Sequence, residues 1–351
     1  MPTRRTDLAP THSRRALLAR VAALLLMPAG VRPSQAATPT SVTPPPALRF
    51  GILPIAGAVE SRESWTPLLS GMSQSIRRPV TARSVLSYEA VESAIQRGEI
   101  DLALLSGKLA LDAVLRRQMT VVAQVMRDPA AEGHRAVLLA RKAGPFNTLA
   151  GLLAEPERWR IARGDSRSLT GYILPQLQLF LPNGIQIETR FRSEIVDNHQ
   201  VTALAVANGD ADVATNNSTD YARFKTHFPA EAERLQVIWQ SEPTPPLQFL
   251  MRRGQPAELQ ARVQQFLIHY GRASGARGEE ERAVLKGLRA MYGYVLADDS
   301  ALMAVAQVQY RLEKQQALHA QWVSEAARHA RLARIEEAHA RAVALLRGER
   351  R

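Results

Sequence analysis

Gly164-Asp165-Ser166-Arg167-Ser168-Leu169-Thr170-Gly171-Tyr172 is the stretch of this 351-residue chain whose residue types come closest to a chemical site. A strand pattern, Arg160–Ala162, ends just before it, small polar residues make a turn, and a helical pattern follows. The first N–H groups of a helix lack intrahelical partners and carry a partial positive charge, so such a junction binds anions. Ser168 and Thr170 add hydroxyl donors, and Gly171 lets a ligand approach the backbone. The same residues serve equally well as plain N-caps, and the local pattern does not choose between the two. His199 stands before a helical pattern at Val201–Asn208, and Tyr88 opens another. Asp212-Val213-Ala214-Thr215-Asn216-Asn217 ends a buried strand in two amides suited to a cleft rim, with Asp212 reading as a structural strand-edge group. Ser168 and His199 make an imaginable nucleophile–base pair. The chain has no Gly-x-Ser-x-Gly elbow, no His-Glu-x-x-His helix, no P-loop and no dinucleotide fingerprint, so neither an enzyme nor a cofactor is expected.

The composition narrows the field further. With no Cys, disulfides, thiol nucleophiles, Cys-ligated zinc and a lipid anchor on cysteine are all removed. Residues 1–36 hold six Arg and one Asp, which is +5 of the formal +12, so the remainder carries +7. Aromatics are 5% of the chain, and no basic patch with interleaved aromatics marks a nucleic-acid surface.

The elements that must position these residues alternate. Strand patterns at 48–53, 79–85, 100–105 and 119–124 are separated by helical patterns at 88–97 and 109–116. A second series begins near Ala136–Ala140 and continues with strands at 160–162, 185–190, 211–214, 237–240 and 247–252, the last returning to the first lobe. Such alternation predicts α/β layers around mostly parallel sheets, and two lobes joined by crossover strands make a cleft suited to a small ligand. The expected division is 47–140 with 247–298 for one lobe and 141–246 for the other. Residues 299–351 form a helical extension in which Leu332, Ile335, His339, Ala342 and Leu346 make a narrow apolar stripe. That stripe suits either its own lobe or a second copy of the chain, as a homodimer.

Residues 1–36 have the marks of a cleaved export signal. Arg14-Arg15 precedes the apolar Val21–Met27, and Ser34-Gln35-Ala36 offers small residues at a cleavage site. The Arg pair before leucines points to twin-arginine export, with the Sec route as the alternative. Spanning a bilayer takes about 20 apolar residues, more than this run supplies. A Pro-rich linker follows at 37–46.

Phe50-Gly51-Ile52, Trp65-Thr66-Pro67-Leu68, Ala203–Asn208, Asp212–Asn217 and Ile238-Trp239-Gln240-Ser241 resemble, in order from about Leu48 to Leu318, the phosphonate-binding periplasmic proteins of ABC importers. The resemblance implies a type II periplasmic-binding fold, each lobe a mixed sheet flanked by helices. It also implies a phosphonate, phosphite or related oxyanion as ligand and an ABC permease of the inner membrane as partner. A membrane sensor kinase served by the same fold is the alternative. The loop at 164–171 is similar to the family's Asp-Pro-Asn-Ser-Thr-Ser-Gly. Ser168 and Thr170 fall on its serines, Tyr88 on a family tyrosine and His199 on a phosphonate-contacting histidine. Leu169 replaces the middle threonine, leaving its backbone N–H as donor, and His134 stands where the family has a tyrosine. Thr219 and Leu247 occupy the positions of two carboxylates that recognise a ligand ammonium, with Asp220 one residue away. The resemblance therefore implies a ligand without a terminal amine.

Overall fold

The computed structural model describes residues 46–53, 58–85, 87–127, 133–144, 148–289 and 291–349. The expected export signal and nearly all of the Pro-rich linker lie outside the described residues.

The first lobe starts with β1 (Leu48–Ile52), α1 (Ala58–Ile76), β2 (Val80–Ser84), α2 (Tyr88–Gln96), β3 (Leu102–Leu105), α3 (Gly107–Leu115) and β4 (Met119–Arg127). The chain then crosses to β5 (Arg135–Arg141), α4 (Leu149–Ala154), β6 (Arg160–Arg163), α5 (Ile187–Arg190), β7 (Ser193–Val196), α6 (His199–Asn208), β8 (Val213–Asn217), α7 (Ser218–His227), α8 (Pro229–Glu233) and β9 (Leu235–Pro243). It returns through β10 (Gln248–Arg252), α9 (Ala257–His269), α10 (Ala276–Arg289) and β11 (Met291–Leu296), and closes on α11 (Met303–His319) and α12 (Glu325–Leu346).

Two mixed sheets result, ordered β11-β4-β10-β3-β1-β2 and β7-β6-β8-β5-β9. Each contains a parallel trio, β2-β1-β3 and β7-β6-β8, with an antiparallel strand beside it, β10 and β5. Residues 135–140, assigned by pattern to the first lobe, belong to the second sheet, because β5 pairs with both β8 and β9. The extended pattern at 185–190 is helical at 187–190, and the edge strand is β7 instead. The buried Gln176 amide explains the change: it donates to Ile185 O at 3.1 Å and accepts from Ile187 N at 3.2 Å, standing in for a strand partner.

The two trios share an internal brace. Arg49, the second residue of β1, forks onto Asp101, just before β3, at 2.8 and 3.0 Å. Arg160 opens β6 and forks onto Asp212, just before β8, at 3.0 and 2.8 Å. Each carboxylate also accepts the backbone N–H of its arginine at 2.9 Å. Asp212 is thus the structural group its position suggests. Burial alone would raise both carboxyls, but the hydrogen bonds from the arginines outweigh it and hold Asp101 and Asp212 below the usual carboxylate range. A depressed folded pKa contributes stability that is complete above the unfolded value of about 3.9 and lost as pH falls through the folded one. Denaturant midpoints should therefore drop steeply below about pH 4. Asp101→Asn and Asp212→Asn should flatten that drop while costing roughly 1–3 kcal/mol each at neutral pH. An identical acid slope in the variants would show that the braces add nothing.

The C-terminal helices pack on their own chain. Val305 and Ala306 of α11 join the first lobe's core, while Leu312 joins the second lobe's. Gln316 Nε2 donates to the Tyr172 hydroxyl at 3.4 Å. The stripe on α12 is covered: Ile335, Ala342 and Leu346 are buried, and His339 stacks on Tyr310 with ring centroids 4.4 Å apart. Most of that apolar face is used within the chain.

Candidate functional site

Among the described residues, five helical segments that follow a strand toward the cleft begin with a small polar cap. Ser87 caps α2 and accepts from Ala90 N; Asn198 caps α6 and accepts from Gln200 N and Val201 N. Asn217 caps α7 and accepts from Asp220 N, and Ser106 caps α3 without a side-chain hydrogen bond. Ser168 caps a π-helical turn at Leu169–Ile173, its Oγ accepting from Gly171 N at 3.0 Å. Plain capping is thus true of Ser168, yet its hydroxyl proton is left for a further acceptor.

These five N-termini, two from the first lobe and three from the second, converge. Tyr88, Ser106, Ser168, Leu169, Thr170, His199, Asn217 and Thr219 line one cavity of about 50 Å³, together with His134, Asp220 and Leu247. All seven residues singled out as ligand contacts are there: Tyr88, His134, Ser168, Leu169, Thr170, His199 and Thr219. The volume corresponds to roughly four waters, room for one compact tetrahedral group. A chamber of about 250 Å³ adjoins it, sharing Tyr88, Ser168 and His199 and bounded further by Leu53, Ser87, Asp165, Val196, Asp197 and Asn198.

Within the cavity Thr170 Oγ1 lies 3.1 Å from His199 Nε2, so threonine, not Ser168, meets the imidazole. His199 is buried, and its carbonyl accepts from Asn216 Nδ2 at 2.7 Å. His134 Nδ1 and Thr219 Oγ1 are 2.8 Å apart, and Arg127 Nη1 reaches the same hydroxyl at 3.5 Å. Asp220 lines the cavity without any loop shift, its Oδ2 accepting from Asn217 Nδ2 at 2.6 Å.

Gly171 has a different use from the one its sequence context suggests. A Cβ there would stand 2.7 Å from Gly164 Cα and 2.8 Å from Ser168 Oγ. The two glycines pinch the loop shut backbone to backbone, with Gly164 N donating to Gly171 O at 3.1 Å and Thr215 Oγ1 donating to the same carbonyl at 2.6 Å. Gly171 faces its own loop and closes it around the Ser168 cap.

Ser106, Arg127, Thr244 and Pro245 also line the cavity and went unrecognised in the sequence. Ser106-Gly107 has the same strand–turn–helix junction as the loop at 164–171 and was legible on that ground. Arg127 ends a strand three residues longer than its apolar pattern, and Thr244 and Pro245 lie in a crossover, so no local signal marks them.

Arranged in this way, helix dipoles, hydroxyls and imidazoles offer a small anion many donors and no acceptor-rich wall except Asp220. Among the described residues no group of three or more His, Asp or Glu is placed to hold a metal ion, and no helix is long and apolar enough to cross a membrane.

Comparison with known proteins agrees with this chemistry. The family described as ABC transporter, phosphonate, periplasmic substrate-binding protein matches residues 50–302. The phosphonates-binding periplasmic protein of Escherichia coli is 30% identical over 242 residues, 69% of this chain and 70% of that one. A binding protein component of an ABC phosphonate transporter from Pseudomonas aeruginosa superposes with a TM-score of 0.78 at 26% identity, covering 85% of this chain and 96% of its own. A Prochlorococcus marinus protein solved with methylphosphonate shares the fold at 16% identity, TM-score 0.63, covering 76% and 98% of the two chains. The chain belongs to the periplasmic substrate-binding proteins of ABC phosphonate transporters.

Proposed function

We propose that this protein captures a compact phosphorus oxyanion, such as a phosphonate or phosphite, in the cavity between its lobes and carries it unchanged to a membrane permease. The observation that supports this most directly is the convergence of five helix N-termini from both lobes on a space of about 50 Å³. Each N-terminus acts as roughly half a positive charge and presents unpaired N–H groups. Ser168, Thr170 and His199 grip the oxyanion from the second lobe, with Leu169 offering its backbone N–H. Tyr88 and Ser106 approach from the first lobe, and His134 and Thr219 set the far wall. Residues 1–36 serve as the export signal and are removed on delivery to the periplasm.

One preparation tests this reading. Protein recovered from the periplasm is weighed by mass spectrometry and titrated calorimetrically with methylphosphonate, phosphite, phosphate, sulfate and arsenate. The mass should begin at residue 37, and a phosphonate or phosphite should bind most tightly. Absence of binding to every phosphorus oxyanion would overturn the functional reading; an intact amino terminus would overturn the export signal alone.

A further inference from the structure

One ion pair crosses from the gripping loop to the opposite lobe. Arg167, between Asp165 and Ser168, donates from Nε to Glu92 Oε2 at 3.1 Å. Glu92 sits on α2, one helical turn beyond Tyr88, and its other oxygen accepts from Arg116 Nη1 at 2.5 Å. The loop side is equally fixed: Asp165 Oδ1 accepts the backbone N–H of Arg167 at 2.8 Å and lies 3.4 Å from its Nη1. The side chains of Arg167 and Glu92 are 29% and 18% exposed, so the pair is partly withdrawn from water. Beside it, the first residue of α3 meets the loop. A Cβ on Gly107, at φ +54°, would stand 2.9 Å from Leu169 Cβ. Leu169, a member of the second lobe's core, therefore packs closely against the first lobe at this point.

We propose that Arg167 is a positioning residue that latches the anion-gripping loop to α2 through Glu92, so that holding the ligand and keeping the lobes together are one event. It rests on the functional reading above but assigns Arg167 no contact with the ligand. Neither Arg167 nor Glu92 lines the cavity, whereas their neighbours Ser168 and Tyr88 do. Parting the lobes must break this pair as Ser168 and Tyr88 move apart. The latch thus slows release of any oxyanion by the same factor, and selectivity stays with the cavity wall.

The test combines stopped-flow dissociation with solution scattering of the ligand-free protein. Arg167→Ala and Glu92→Gln should each raise the dissociation rate about tenfold, the effect of one lost charge-assisted hydrogen bond. The factor should be equal for methylphosphonate and phosphite, and the double variant should be no faster than either single one. Arg97→Ala removes only an exposed ion pair with Glu99 on the same lobe and should release ligand at the wild-type rate. In the ligand-free protein both latch variants should scatter as a more extended particle than the wild type. Unchanged release in Arg167→Ala, additive effects in the double variant, or altered selectivity would each overturn the latch. Should the wild type bind neither oxyanion, the functional reading falls separately. The latch is then decided by scattering alone, and equal dimensions for wild type and variants would refute it.

Discussion

Replacing Ser168 and Thr170 together by alanine should weaken binding of a phosphorus oxyanion at least about a hundredfold. Each hydrogen bond to a charged group is worth roughly 1.5–3 kcal/mol, or some ten- to a hundredfold in affinity. Both hydroxyls lie at the first turn of the same short helix, and both line the cavity. Their environments differ, which makes the single variants informative. Ser168 Oγ already accepts the Gly171 N–H, so Ser168→Ala also removes a cap and should cost about 1 kcal/mol of stability. Thr170 Oγ1 is shared with His199 Nε2 at 3.1 Å and Asn217 Nδ2 at 3.5 Å. Thr170→Ala should therefore disturb the imidazole as well as delete a donor. Calorimetry on variants with native circular dichroism measures the loss. Affinity within threefold of wild type would show that the two residues cap and brace without touching the ligand.

Why this loop was readable in the sequence, and its surroundings less so, follows from the range of the interactions. A strand end, a small polar turn and a helix start are local features, and local features survive in a string of letters. So do the alternations that set out β1 to β4 and β8 to β10. The convergence of five N-termini is not local: Tyr88, Ser106, Ser168, His199 and Asn217 are spread over about 130 positions, and sheet topology alone brings them together. Family resemblance nominates Tyr88, Ser168, Thr170 and His199 as contacts, but it is silent on Arg127 and Ser106. At 185–190 the periodicity misled for a different reason. The alternation of Ile185 and Ile187 is real, and both side chains are buried. A side-chain amide from Gln176, nine and eleven positions away, satisfies the backbone that a neighbouring strand would have served. The stripe on α12 was equally real, and only packing could decide that Ile335, Ala342 and Leu346 face their own chain.

The wall opposite the gripping loop sets the second large effect, which is discrimination against an amine. The family resemblance implies that Thr219 and Leu247 stand at positions where carboxylates would recognise a ligand ammonium. Leu247 is buried and apolar, and Thr219 Oγ1 is engaged by His134 and by the Arg127 guanidinium. Asp220 is the carboxylate in reach, but its Oδ2 holds Asn217 Nδ2 at 2.6 Å, within the cap that starts α7. An ammonium group entering here meets a leucine and a cation, and recruiting Asp220 means breaking an amide hydrogen bond in a cavity of about 50 Å³. Methylphosphonate and 2-aminoethylphosphonate present the same oxyanion to Ser168, Thr170 and His199, so the penalty falls on the amine alone. A buried polar group without a partner costs about 1–3 kcal/mol and a charge more, so methylphosphonate should bind at least about tenfold more tightly. Leu247→Asp with Thr219→Glu should narrow or reverse that preference while leaving the loop at 164–171 untouched. Competition calorimetry at neutral pH reads the ratio directly. Tighter binding of 2-aminoethylphosphonate by the wild type would mean that Asp220 gives up Asn217 to pair with the amine, and Asp220→Asn should then abolish the preference.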